Sequence, residues 1–565
     1  MNIKKYQLVL MLVFLGLTLV GAIGLNTYPG DIIRETHVAM TSDGVQISFN
    51  TYHKSTVPAY RPVIIMGHGV IVNKEMMTNY AIELAAHDFI VASIDWRGHG
   101  HSGGTLENDK LILDLEAVID AVGVLFPTAN LSTLGLLGYS MGGFPTYQYA
   151  ANHTTVKAWI GVGTAPRGNI GNMTNPQNVL VIRGENDEAF SLDMLKTQMY
   201  NLTGDASPND VQVEHLYGSI AAGNARKIDA VPFADHLTTP WDQAFISAAT
   251  DWMVQTFDGV VPDLTFMVYN VRAIMLFAAL AGLVGLVYGI ALILARALGF
   301  KDKEPGQQVP AAPATETGGK ANAEFSAPKF VGLYYAWTLL LVPTAIIPAI
   351  TFFLPLFMTS FIVTLVGCYS INVAIFSWRH FKRSGGSYLA AFTAGMQDRR
   401  IWFVGAVITA VFVPLFWLVV GQNYLGSIPP VDRIGHVFIY GAIMFACYLA
   451  ILTFGERVLV QYIDRKVRFK NEKVRYLAES VVSFLLVYSW FLVIILLLCA
   501  AMQSLFLAMI AILMVPIYLL GSFAGVYLQK LTGSSVPNAI LQTTLLTLLI
   551  VSLSPMGSLL SMFAH

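Results

Sequence analysis

The sequence predicts two structural classes in one chain: an α/β domain built on a mostly parallel sheet, and an all-α bundle of transmembrane helices. Three observations predict them. The 565 residues are 55% hydrophobic and 12% charged, with a mean hydropathy of +0.59, far too apolar for a soluble protein. The apolar residues are arranged differently in two regions: short runs alternating with helix-like segments up to about residue 258, and long continuous spans beyond it. The charge divides the same way. Between Asn26 and Asp263 acidic residues outnumber basic ones roughly two to one, whereas the short loops further on are rich in Lys and Arg. A net charge of −1 offers no overall basic balance for nucleic acid.

In chain order, Gln7 to Leu25 is an apolar stretch behind Lys4 and Lys5. It reads either as a cleaved signal peptide, with Val20-Gly21-Ala22 as a cleavage site, or as a retained anchor. The poor cleavage site favours the anchor, and the basic flank places the N-terminus inside. Residues 31–260 form the α/β domain. Thr36 to Phe49 alternates around Asp43-Gly44, a hairpin signal. Runs at 63–66, 90–94, 134–137, 159–162 and 179–182 are apolar on both faces, and helix-like segments at about 74–87, 109–125 and 143–152 separate most of them. That alternation means parallel strands covered by helices on both sides. A further hairpin is expected around 211–231.

Eight more apolar spans follow, near 264–295, 330–350, 353–377, 401–420, 435–454, 478–500, 504–527 and 538–562, each long enough to cross a bilayer. Basic residues fall in every second loop, from Arg296, Arg379 and Arg457 through Arg475 to Lys530. Nine spans with the N-terminus inside satisfy the positive-inside rule and put the α/β domain outside. The organisation expected is thus an anchor (1–30), the extracytoplasmic domain (31–260), a second span (261–297), a disordered cytoplasmic linker (298–329) and seven helices over 330–565. Arg272, Glu456 and Glu479 lie near span ends and read as snorkelling or loop charges. Ala281, Gly285 and Gly289 form a small-residue stripe suited to packing within the bundle. All three cysteines lie in apolar runs, so the polar domain has no disulfide.

The chemistry centres on Gly138-Tyr139-Ser140-Met141-Gly142-Gly143, which sits between an apolar strand and a helix. Small residues two positions either side let the chain reverse sharply and expose the Ser140 hydroxyl, with the Met141 amide beside any oxyanion formed there. A serine needs a base and an orienting acid, which in this strand–turn–helix context follow in the order acid, then histidine. The run Val179 to Ile182 leads into Arg183-Gly184-Glu185-Asn186-Asp187, and Asp187 is placed ahead of Glu185 and Glu188 as orienting acid. His236 follows another apolar run and is the candidate base, with His215 the other late histidine. The second oxyanion donor is expected from the loop Gly67-His68-Gly69-Val70, at the Val70 N–H. His68, His99 and Asp95 read as loop-holding groups. No cluster has metal-ligand spacing and no Gly-rich phosphate loop is present, so no cofactor is expected.

Five blocks then stand in order: Gly67-His68-Gly69, Asp95-Trp96-Arg97-Gly98-His99-Gly100-His101-Ser102, the Ser140 turn, Gly184-Glu185-Asn186-Asp187, and Asp235-His236. Residues 36–257 resemble the α/β-hydrolase superfamily, in the branch with monoglyceride-lipase-like and serine-aminopeptidase-like proteins; the membrane half resembles no family we identify. The resemblance implies an α/β-hydrolase fold and hydrolysis through an acyl-enzyme. Little chain lies between Val162 and Val179, so a lid there is short or missing. Sequons begin at Asn130, Asn152, Asn172 and Asn201, as an extracytoplasmic, glycosylated domain would carry. The functional expectation is a multi-pass cell-membrane serine hydrolase acting on an ester, thioester or amide, on acyl or peptide substrates. The alternatives are an acyltransferase using a lipid donor and a non-catalytic subunit of an envelope complex. Membrane lipids, a membrane-protein partner or a second copy are the partners envisaged, not nucleic acid.

Overall fold

A computed structural model of the chain describes residues 5–56, 58–167, 169–300, 327–339, 347, 350–351, 354–383, 385–460, 463, 469, 471–502 and 506–557. The expected linker at 298–329 and part of the span at 330–350 lie largely outside these residues.

Helix α1 (Lys5–Thr27) leads into the hairpin β1 (Ile32–Met40) and β2 (Gln46–Lys54). Then follow β3 (Pro62–Gly67), α2 (Thr78–Ala86), β4 (Ile90–Ile94), α3 (Leu111–Leu125), β5 (Asn130–Tyr139), α4 (Gly143–Asn152), β6 (Val156–Val162), β7 (Val179–Gly184), α5 (Leu192–Thr203), β8 (Arg226–Val231) and α6 (Gln243–Asp258). The eight strands form one sheet in the order β1-β2-β4-β3-β5-β6-β7-β8, antiparallel at β1–β2 and β2–β4 and parallel elsewhere. Every residue of β3, β4 and β7 is buried, which is why these strands carry no polar face. Alternate side chains enter opposite cores: Ile64 and Met66 pack with α2 and α6, Val63 and Ile65 with α3, α4 and α5. Each such aliphatic side chain contributes about 1.5–3 kcal/mol by leaving water. The expected hairpin at 211–231 reduces to β8 and one bridge, Tyr217 to Arg226. Residues 211–217 form no strand, and His215 is exposed.

Beyond the sheet come α7 (Val268–Ala297), α8 (Ala327–Leu339), α9 (Phe357–Arg383), α10 (Arg399–Phe416), α11 (Ile434–Thr453), α12 (Glu472–Met502), α13 (Phe506–Thr532) and α14 (Val536–Leu553). Among the described residues, seven helices including α1 are long and apolar enough to span a membrane, so this is a multi-pass membrane chain. The small-residue stripe packs internally. A Cβ at Gly285 would fall 2.2 Å from the Phe14 ring, and one at Gly282 would fall 2.4 Å from Thr18 Oγ1, so α1 lies directly on α7.

Four charges depart from expectation. Arg272 does not snorkel: it is 1% exposed and donates to Leu25 O, Tyr28 O, Asn79 Oδ1 and Asn423 Oδ1. Glu456 is buried because the helix continues past Thr453 as a π-helical turn, Phe454–Leu459, and its Oε1 accepts from Asn538. Glu479 is buried between Arg475 and Lys530. Arg457, expected in a basic loop, is buried in the same turn as Glu456 and donates to Gly533 O.

The domain's strand-end loops sit on the bundle. Arg433 donates to Gly98 O at 2.7 Å and Ser554 O at 3.0 Å; Met556 donates to Gly98 O and accepts from Leu106 N, both at 2.7 Å. Val70 and Ile71 pack against the bundle's largest apolar core.

Candidate active site

Strand β5 ends at Tyr139, and the chain reverses through Ser140–Gly142 into α4. Ser140 has φ +50°, a left-handed conformation that a non-glycine residue holds only when its surroundings impose it. The surroundings are tight: a Cβ at Gly142 would lie 2.5 Å from Gly67 O and 2.7 Å from His68 O. The turn therefore rests on the backbone leaving β3. A Cβ at Gly69 would lie 3.0 Å from Ser140 Cβ, so the backbone leaving β3 passes directly beside the turn.

His236, in the loop after β8, brings its Nε2 to 3.0 Å from Ser140 Oγ. Its Nδ1 lies 3.1 Å from Asp187 Oδ2, in the loop after β7. The other oxygen of Asp187 accepts from the amides of Ala189 and Phe190, both at 2.9 Å. No oxygen of Asp187 is left to rotate away, because both are engaged and the side chain is fully buried. The acceptor at Nδ1 puts the ring proton there and leaves the Nε2 lone pair facing the hydroxyl.

The fold thus brings Ser140, His236 and Asp187 into one hydrogen-bonded line. Glu185 is exposed and accepts from Phe233 N; Glu188 accepts from His236 N at 3.4 Å, and burial raises its carboxyl above the usual range. Three contributors escaped the sequence reading. The His236 ring stacks between Tyr139 (centroids 5.4 Å apart) and Phe190 (5.7 Å), and Tyr139 OH donates to His236 O at 2.9 Å. Gly163, at φ +51°, passes so close that a Cβ would be 3.2 Å from His236 Nδ1 and 3.4 Å from Asp187 Oδ2. Only the strand-end position of Gly163 was legible; the two aromatic rings carry no local signal.

His68, His99 and Asp95 form a second buried group at the ends of β3 and β4. Asp95 accepts from Lys74 Nζ at 2.5 Å, Lys74 N at 2.8 Å and His101 N at 3.0 Å. His68 is held by Gly69 O at Nδ1 and Trp96 N at Nε2. Among the described residues, no three His, Cys, Asp or Glu side chains converge as metal ligands would. Of the sequon residues, Asn152, Asn172 and Asn201 are exposed and Asn130 is half-buried at the start of β5.

Residues 58–189 match the family model described as serine aminopeptidase, S33. No curated protein matches the chain. Similar solved structures include an esterase from Pyrococcus furiosus, at 15% identity over 40% of this chain and 94% of that one, with a TM-score of 0.31. Others are an α/β hydrolase from a Penicillium species (14%, 40% and 99%, TM-score 0.31) and a CIB-like hydrolase from Thermoplasma acidophilum (14%, 39% and 98%, TM-score 0.30). The polar domain thus has the α/β-hydrolase fold, and it is joined to a helical membrane domain.

Proposed function

We propose that the chain is a membrane-tethered serine hydrolase whose α/β domain lies on the extracytoplasmic side and cleaves a carboxylic ester, thioester or amide. The observation that carries this reading is the line Ser140 Oγ–His236 Nε2 at 3.0 Å and His236 Nδ1–Asp187 Oδ2 at 3.1 Å. Ser140 Oγ attacks the substrate carbonyl as its proton passes to His236 Nε2, and Asp187 stabilises the imidazolium. The Met141 and Val70 amides receive the oxyanion. Collapse expels the alcohol, thiol or amine, which takes the proton from His236 and leaves an acyl-enzyme. Water then attacks, giving its proton to His236, and Ser140 is released with the acid product.

The strand-end loops rest on the bundle through Val70, Ile71, Gly98 and Leu106, which favours acyl substrates that arrive from the membrane. The positive-inside pattern supports the outward placement of the domain and its sequons. The test is labelling of the full-length protein in membranes with a fluorophosphonate probe. Wild type should label, and Ser140→Ala should lose the label entirely. Folded wild type that fails to label overturns the reading and favours a non-catalytic binding subunit. Products carrying the acyl group on an acceptor other than water would identify acyl transfer instead.

A further inference from the structure

At the junction of the two domains lies a cavity of about 670 Å³ whose walls do not include Ser140. It opens where α1 and α10 end and α7 begins, and its other side is β1, β2 and the turn before α2. It therefore straddles the level at which three apolar helices leave the bilayer. Trp417 and Ile428 contribute apolar surface, and a tryptophan at a helix end is at home at that level.

The opposite wall is charged: Arg34, Lys74, Glu75 and Arg272. Lys74 is neutralised by Asp95 at 2.5 Å. Arg34 lies 3.8 Å from Glu75 and spends one nitrogen on Gln422 O; its side chain is 27% exposed. The four hydrogen bonds of Arg272 all go to uncharged oxygens, leaving one of its five N–H groups unspent. Three cations thus face two carboxylates, a surplus of one positive charge in a largely buried setting. Glu75 turns its Oε1 toward both Arg34 (3.8 Å) and Lys74 (3.6 Å), so the one carboxylate on this wall is shared between two cations.

We infer that this cavity binds the headgroup of an anionic phospholipid. The phosphate monoanion meets Arg34 and Arg272, and the glycerol and first acyl carbons lie along Trp417 and Ile428. A free phosphate would satisfy the guanidinium groups but leave the apolar wall unused. The site is separate from the Ser140 line and needs only the membrane placement of the helices.

The test uses delipidated full-length protein in neutral detergent, with the thermal midpoint followed during titration. The three titrants are phosphatidylglycerol in mixed micelles, dioleoylglycerol in the same micelles, and sodium phosphate. A saturable rise is expected with phosphatidylglycerol alone. Arg34→Gln should raise the half-saturating lipid concentration about tenfold or more. Ile428→Glu, at a 42% exposed position that tolerates the change, should do the same by placing a carboxylate against the lipid. Equal half-saturation in wild type and both variants, or no saturable response in wild type, overturns the inference. An equal response to sodium phosphate overturns the lipid as the source of the anion.

Discussion

The hydrolase domain buries two histidine–carboxylate pairs at neighbouring strand ends, and they share more than a residue composition. In both, Nδ1 faces an oxygen and Nε2 accepts: His236 faces Asp187 at 3.1 Å and Ser140 Oγ at 3.0 Å, whereas His68 faces Gly69 O at 2.6 Å and Trp96 N at 3.3 Å. The difference is what sits on Nε2. A hydroxyl proton can be handed over when the oxygen attacks; a peptide amide proton cannot. The carboxylates differ too. Asp95 is burdened most by burial, but the Lys74 charge and hydrogen bond together with His68 and the His101 amide outweigh this and hold it below the usual carboxylate range. Asp187 has only backbone amides besides its histidine, so its charge is available to an imidazolium. On the proposed function, the first pair moves a proton, while the second holds two loops.

The comparison breaks most visibly at the acids. Asp187→Asn should lower kcat by on the order of 10⁴ with little change in thermal midpoint, because it spoils the tautomer and not the fold. Asp95→Asn should do the reverse: it removes the carboxylate 2.5 Å from the buried Lys74 and leaves only Glu75 at 3.6 Å, which should cost up to about 3–5 kcal/mol of stability, read by denaturation, while kcat per folded molecule is kept. If the two substitutions give the same profile, the division between the pairs is wrong. A smaller effect is expected at Gly163→Ala. Its methyl must displace the imidazole or strain a left-handed residue, which should cost about 10- to 100-fold in kcat with Ser140 still present.

The smallest effect sharpens the contrast by pH. Burial lowers His68 below 6.5, and burial with the neighbouring His68 lowers His99 well below it. The unfolded chain, with ordinary histidines, takes up these protons first. Stability is therefore whole above about pH 6.5 and is lost as the pH falls toward the folded values. The thermal midpoint should drop between about pH 7.5 and about pH 5.5, less steeply in His99→Gln. Equal slopes would remove His99 from the account.

Much of this was legible where the determinants are local. The turn at Ser140 is written in six consecutive residues, and β3, β4 and β7 announce their burial by carrying no polar face. Asp187 and His236 could be chosen because a parallel sheet brings its strand ends to one edge. What stayed hidden depends on contacts between distant segments. Tyr139 and Phe190 clamp His236 from residues 97 and 46 positions away, and nothing near either ring marks it. Glu456 was assigned to a loop because hydropathy marks where apolarity fades, not where backbone hydrogen bonding stops; the helix runs through the π turn and takes the charge inside with it. Arg272 was misread for a related reason: a charge near a span's end is ordinarily solvated, and here the end is covered by another domain.

The two backbone bonds at Met556 also set an order of events. Gly98 and Leu106 belong to the first fifth of the chain, yet the groups that complete their hydrogen bonding arrive only after α14 has been made and inserted. The loop bearing His99 is held early within the domain by Asp95 and Asp114 and is met by Arg433 ahead of α11, but its last backbone bonds come only from the segment after α14. A chain truncated just before Met556 would keep all the residues of its hydrolase sheet and still lack these two backbone bonds, which tie the far end of the bundle to a loop made in the first fifth of the chain.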